Sequence, residues 1–153
     1  MAHVHLGTLA YIANLLGQES VFKQLLEFAE DDWIDDHGCQ YVTLTKTHLM
    51  LRLLPDLIPD GVDIELVKVT GTLSPHIHEH SDSAVIAKGV FVDEADVWVD
   101  IDRDWHTLED GWLVIIPRGV PHGFRLDPDS REPFYLIVVS NPPIADDDTT
   151  YIE

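Results

Sequence analysis

Residues 71–89 read GTLSPHIHEHSDSAVIAKG, and residues 111–122 read GWLVIIPRGVPH. In the first block His76 and His78 stand two positions apart. In a β-strand, residues i and i+2 project from one face, so both imidazoles reach one point; in a helix the same pair diverges. Neutral imidazole is a good ligand for zinc, iron, copper and nickel. The spacing alone is weakly specific, because His3/His5 and His78/His80 repeat it. The second block supplies the missing context. Asp110-Gly111 forms a tight turn into an apolar run. Pro117-Arg118-Gly119 then turns the chain back, with proline fixing φ and glycine permitting φ > 0. His122 returns on a neighbouring strand to face the first pair.

Outward from these blocks, the apolar pattern predicts strands over 41–44, 48–54, 62–69, 83–92, 97–101, 112–116, 119–126 and 134–139. Pro and Gly punctuate them at Pro55, Pro59-Asp60-Gly61, Asp110-Gly111, Pro117-Arg118-Gly119 and Pro128. Many short, closely spaced strands argue for a sandwich or barrel, with jelly rolls one member of that class. Before residue 39 the period is helical. Leu6, Leu9, Ile12, Ala13 and Leu16 share one face, Gly17 can end that helix, and Ser20 can cap a second carrying Phe22, Leu25, Leu26 and Ala29. Asp35-Asp36-His37-Gly38 reads as a loop. The expected organisation is a helical segment over 1–38, a barrel over 39–145 and an acidic tail over 146–153, where Asp146-Asp147-Asp148 is read as solvated.

The order Gly71, His76, His78, Asp82, Gly89 and then Gly111, Pro117, Gly119, His122 resembles the two motifs of the cupin superfamily. The family pattern is glycine, five residues, His-any-His, three or four residues, glutamate, six residues, glycine. Downstream it has glycine, five residues, proline, any, glycine, two residues, histidine, three residues, asparagine. Gly71 stands one residue closer to His76 than the pattern has it, Asp82 stands in place of glutamate, and Leu126 in place of asparagine. The resemblance covers roughly residues 62–139. It implies a mainly β fold, the cupin double-stranded β-helix or jelly-roll barrel, with the helical segment outside it. It also implies one divalent metal ion per chain (Fe, Ni, Zn or Mn), held by His76, His78 and His122 with Asp82. Aspartate is one methylene shorter than glutamate, so Asp82 ligates only if its strand moves in. Otherwise it acts through water and is the candidate general base. Three or four protein ligands leave coordination sites open, as catalytic centres do.

By strand parity with Asp82, Ala84 and Ile86 are expected to point into the barrel; Phe124 does so by parity with His122. Ile77 and Ser83 face the other way. The expected substrate cavity is narrow and largely apolar, and Ala84, Ile86 and Phe124 are its candidate contacts. Glu79 and His80 read as exposed at the mouth; His3, His5, His37, His48 and His106 read as surface or capping residues. Trp98, Trp105, Trp112 and Phe134 read as core or dimer-interface aromatics.

The formal charge is −19, from 28 acids against 9 bases. Nucleic acid and anionic membranes gain no counterion release from such a surface. A strongly anionic substrate needs a local basic pocket, for which Arg52, Lys68, Lys88, Arg118 and Arg125 are the candidates. Nothing approaches a transmembrane span or a secretory signal, and Cys39 is the single cysteine. These readings predict a cytoplasmic protein in a reducing compartment, with a small-molecule partner. Open sheet edges and the extra N-terminal segment predict a homodimer. The resemblance favours a dioxygenase. A zinc or nickel isomerase or cyclase, or a non-catalytic cupin binding a metal or metabolite, are the alternatives.

Overall fold

The computed structural model describes residues 4–36, 38–91 and 93–152; His3 and His37 lie outside them. The helical spacing at the N-terminus gives α1 (Leu6–Leu16), burying Leu9, Ile12, Ala13 and Leu16, and α2 (Glu19–Ala29), burying Phe22, Leu25 and Ala29. Helix α2 starts directly behind Gln18, so Ser20 sits inside its first turn and does not cap it. A Cβ at Gly17 would lie 2.6 Å from Ile86 Cδ1, so the bare glycine lets the α1–α2 junction press against the sheet.

The predicted strand over 48–54 is instead helix α3 (His48–Leu53). Thr47 decides this. Its Oγ1 donates to the Leu44 carbonyl at 2.7 Å and accepts from the Met50 N–H at 3.3 Å, which caps the first turn. Leu and Met are good helix formers, and Leu49, Met50 and Leu53 meet one core cluster, a cadence that period two cannot satisfy.

Eleven strands follow among the described residues: β1 (Ile34–Asp36), β2 (Cys39–Thr43), β3 (Asp63–Val69), β4 (Thr72–Ile77), β5 (Asp82–Lys88), β6 (Ala95–Val99), β7 (Asp104–Thr107), β8 (Leu113–Ile116), β9 (His122–Leu126), β10 (Phe134–Asn141) and β11 (Thr150–Tyr151). The stretch read as a loop at Asp35-Asp36 is strand β1, paired antiparallel with β2. The strand read over 97–101 ends at Val99, and Ile101 stands almost fully exposed in the turn to β7. One sheet runs β1-β2-β3-β10-β5-β8, the other β11-β4-β9-β6-β7. The two face each other as a jelly roll, without hydrogen bonds closing them into a continuous barrel.

Two apolar layers follow. The first lies between the helices and the outer face of the six-stranded sheet and includes Leu9, Ile12, Leu25, Ile64, Leu66, Ala84, Ile86 and Ile137. The second lies between the sheets and includes Val69, Val85, Ala87, Val97, Phe124, Phe134 and Leu136. Strand β5 is buried along its whole length because both layers touch it. Trp98 and Phe134 are buried, whereas Trp112 is exposed. No helix among the described residues is long and apolar enough to cross a membrane.

Candidate metal centre and its cavity

Strands β4 and β9 pair with His76 opposite His122, and the register shifts between Leu73 and His76. A Cβ on Gly123 would lie 2.9 Å from the Leu73 carbonyl oxygen and 3.1 Å from Pro75 Cα. Glycine there permits the close approach that brings the two strands' histidines together. The turn before β9 works as the sequence reading expects: Gly119 has φ +77° and donates its N–H to the His78 carbonyl at 2.8 Å.

His76, His78 and His122 form one group. One ring nitrogen from each lies within 4.8 Å of the others, and the ring centroids are 4.3–5.0 Å apart. Every Nδ1 faces a backbone carbonyl: His76 to Ser74 at 2.7 Å, His78 to Asp148 at 2.7 Å, His122 to Val120 at 3.1 Å. A carbonyl only accepts, so each Nδ1 carries a proton, and in the neutral ring the lone pair then sits on Nε2. Burial holds His76 below its ordinary range, against the Ser74 carbonyl. Burial, then the neighbouring His76, push His122 down to about 3. Three imidazoles with orientation fixed from behind are, in their neutral form, a donor set that can hold a divalent metal.

The histidines line a cavity of about 560 Å³ between the sheets. Leu73, Phe124 and Tyr151 share their side of it; Cys39, Tyr41, Glu65, Val67, Ser83, Val85, Leu136 and Val138 line the six-stranded sheet's side. Asp35, Asp36 and Asp146 complete its acids. Glu65 is partly buried, and burial, then Asp63 and Asp36, push its carboxyl up to about 7. Burial, Asp36 and Glu65 push the Cys39 thiol up to about 11.

No protein-family model and no curated protein matches the sequence. Solved structures do match the fold. Pac13 from Streptomyces, with uridine bound, is 9% identical with a TM-score of 0.55, covering 80% of this chain and 84% of that one. KdgF from Halomonas sp. is 19% identical with a TM-score of 0.52, covering 73% and 89%. Recombinant oxalate oxidase in complex with glycolate is 20% identical with a TM-score of 0.50, covering 76% and 56%. The chain has the cupin fold.

In this fold the residues singled out from the sequence separate into two sets. His76, His78, His122 and Phe124 meet at the cavity. Asp82 does not line it and is outside the histidine group. Its Oδ1 accepts the Arg118 backbone N–H at 2.8 Å, and its Oδ2 accepts from the Arg118 guanidinium at 3.1 Å, tying β5 to the turn that precedes His122. Ala84 and Ile86 pack under the helices, so the parity reading is inverted: Ser83 and Val85 are the inward residues of β5. The physical reason is that β5 is buried on both faces, so its apolar pattern does not mark which face is inner. The cavity is accordingly more polar than expected.

All five candidate cations are engaged outside the cavity. Arg52 reaches Gln24, Lys68 lies over the Trp33 ring, Lys88 pairs with Glu19, Arg118 with Asp82 and Arg125 with Asp96.

The stretch read as a solvated acidic tail is a wall of the site. Strand β11 pairs with β4 through Tyr151 and His76. Asp148 is buried, and its carboxylate accepts the Glu79 and His80 N–H groups at 2.9 and 3.0 Å. Burial works against that charge, but the two amides prevail and hold the carboxyl below its ordinary range. Glu79 and His80 themselves are exposed, as read. Sequence reasoning missed Glu65, although Asp63, Glu65, Val67 and Val69 alternate along β3 and Val67 and Val69 meet the inter-sheet core. A polar residue on the inner parity of a strand was the available signal.

Proposed function

We propose that this cupin is a metal-dependent enzyme acting on a small organic molecule, with His76, His78 and His122 as the protein ligands of one divalent ion. The observation that carries this reading is the set of three Nδ1–H groups tied to carbonyls, which leaves three convergent lone pairs beside a cavity. A bound ion there supplies Lewis acidity, and iron would add activation of O₂. The chain's own residues hold the substrate against Phe124, Val85 and Leu136, and the segment over 144–151 restricts water. In this reading Asp82 is a positioning residue that acts through Arg118 and the turn before His122.

The cupin resemblance favours a dioxygenase. A non-oxidative isomerase, cyclase or lyase is a second reading, favoured by the proton-bearing Glu65 in the same cavity. Cupin-fold structures include an oxalate oxidase and a nucleoside dehydratase, so the fold does not choose. Oxygen uptake and product formation, followed for iron- and zinc-loaded protein against a panel of small hydroxylated compounds, decide between them. Substrate-dependent oxygen uptake that is lost in His76→Ala supports the dioxygenase. Turnover under nitrogen supports the second reading, and a metal-loaded protein inert under both conditions would sink the enzymatic reading.

We further propose a homodimer built on the open edge strand β8, where Trp112, Leu113 and Ile115 are exposed. Light scattering at micromolar concentration should give about twice the chain mass, and a monomer would refute it.

A further inference from the structure

The metal reading accounts for the five-stranded sheet's wall of the cavity and leaves the facing wall unexplained. Glu65 stands in mid-strand on β3, beside Thr43 of β2 and Val138 of β10. The titratable groups around it are Asp63 on its own strand, Asp35 and Asp36 on β1, and Cys39 and Tyr41 on β2. His76, His78 and His122 lie on the opposite wall, and Asp146 lies on the C-terminal segment. Among the described residues no Lys or Arg lines the cavity. Among the described residues, no side chain donates a hydrogen bond to Glu65. A carboxylate held without donors or a counter-charge pays a desolvation penalty that a neutral carboxyl avoids.

We propose that Glu65 is the proton-exchanging catalytic residue of this cavity, and that the cavity takes an uncharged, hydroxyl-bearing substrate. The inference rests on the enzymatic reading above. The substrate class follows from charge. Asp35, Asp36, Glu65 and Asp146 face the space, and among the described residues the basic groups that line it are three imidazoles. Apart from the ion itself, which can take a single donor atom of either kind, an anionic substrate would meet like charge without a cationic side chain to receive its remaining charge. Acting as an acid, Glu65 breaks its O–H bond and passes the proton to a substrate oxygen, becoming a carboxylate. Acting as a base, the carboxylate takes a proton from a substrate O–H or C–H, whose electron pair stays on the substrate. Burial, Asp63 and Asp36 poise the group near neutrality, where both forms are present.

Two measurements test this. In metal-free protein carrying ¹³C-carboxyl glutamate, the signal that disappears in Glu65→Gln should titrate near pH 7; titration at the ordinary glutamate value would overturn the inference. Then metal-loaded wild type, Glu65→Gln and Glu65→Asp are assayed from pH 5 to 9 on pentoses, polyols and nucleosides, with small carboxylates and sugar phosphates as anionic controls. Glu65→Gln should keep its full metal content, lose kcat by about 100-fold or more and lose the pH limb near 7, with partial rescue by Glu65→Asp. Unchanged kcat, loss of metal in Glu65→Gln, or turnover confined to the anions would each overturn it. Wild type that holds metal but turns over nothing would remove the enzymatic reading itself, and this inference with it.

Discussion

The two walls of the cavity are built by opposite logic. On the five-stranded sheet's side, three histidines converge and each is buttressed by a backbone carbonyl, so the neutral rings would offer their Nε2 lone pairs to one point. On the six-stranded sheet, Glu65 stands near Asp36 and Cys39 without a donor, so that wall retains protons that solvent-exposed groups would release. One wall is finished when a cation arrives, and the other is poised to exchange a proton. Burial favours neutral forms on both, lowering His76 and His122 and raising the acid and the thiol.

The larger expected effect tests the acid wall. Folding raises the Glu65 carboxyl from its ordinary 4.5 to about 7. Between those values the folded chain keeps a proton that the unfolded chain releases, so its contribution to stability is intact below pH 4.5 and declines as pH rises to 7. Glu65→Gln removes that decline. In chelator-treated protein the variant should gain up to ~3 kcal/mol over wild type at pH 8 relative to the difference at pH 4. Urea melts at both pH values measure it, and parallel pH dependence of the two proteins would show that Glu65 is not held neutral.

The smaller effect sharpens the histidine wall. Asp148 joins the Glu79 and His80 amides to the carbonyl that orients His78. Asp148→Ala frees the segment while leaving all three imidazoles in place. Zinc affinity should drop by about 10-fold to 100-fold, the usual range when a group that orients a ligand is lost. Competition against a chelator reads this directly, and unaltered affinity would mean that β4 alone fixes the ring.

Legibility in the sequence followed the same division. The histidine wall was readable because its constraints are local: i, i+2 on one strand, a Pro-x-Gly turn, then a returning histidine. Most strand positions, and a sandwich or barrel, followed from period and punctuation, while the jelly roll followed from the cupin resemblance; β1, β7 and β11 were not read as strands. Strand β5 was misread in parity because helices cover its outer face as fully as the core covers its inner one. The segment over 48–54 was misread because Thr47 capping outweighs a run of leucines that suits a strand equally well. Asp148 was invisible as a site residue because its partners lie about seventy positions away, and an acid in a terminal acidic run gives no sign of burial. Asp82 matched the motif by position, yet β5 turns it toward Arg118, a direction that spacing alone does not specify.

The central claim is that His76 on β4, His78 just past its end and His122 on β9 make one metal site. Its most direct test is elemental analysis of protein refolded or expressed with divalent metals supplied, comparing wild type with His76→Ala/His122→Ala. The account predicts close to one equivalent of a transition metal per wild-type chain and nearly none in the double variant, with both proteins retaining the β-rich far-UV spectrum. Equal metal content in the two folded proteins would contradict it.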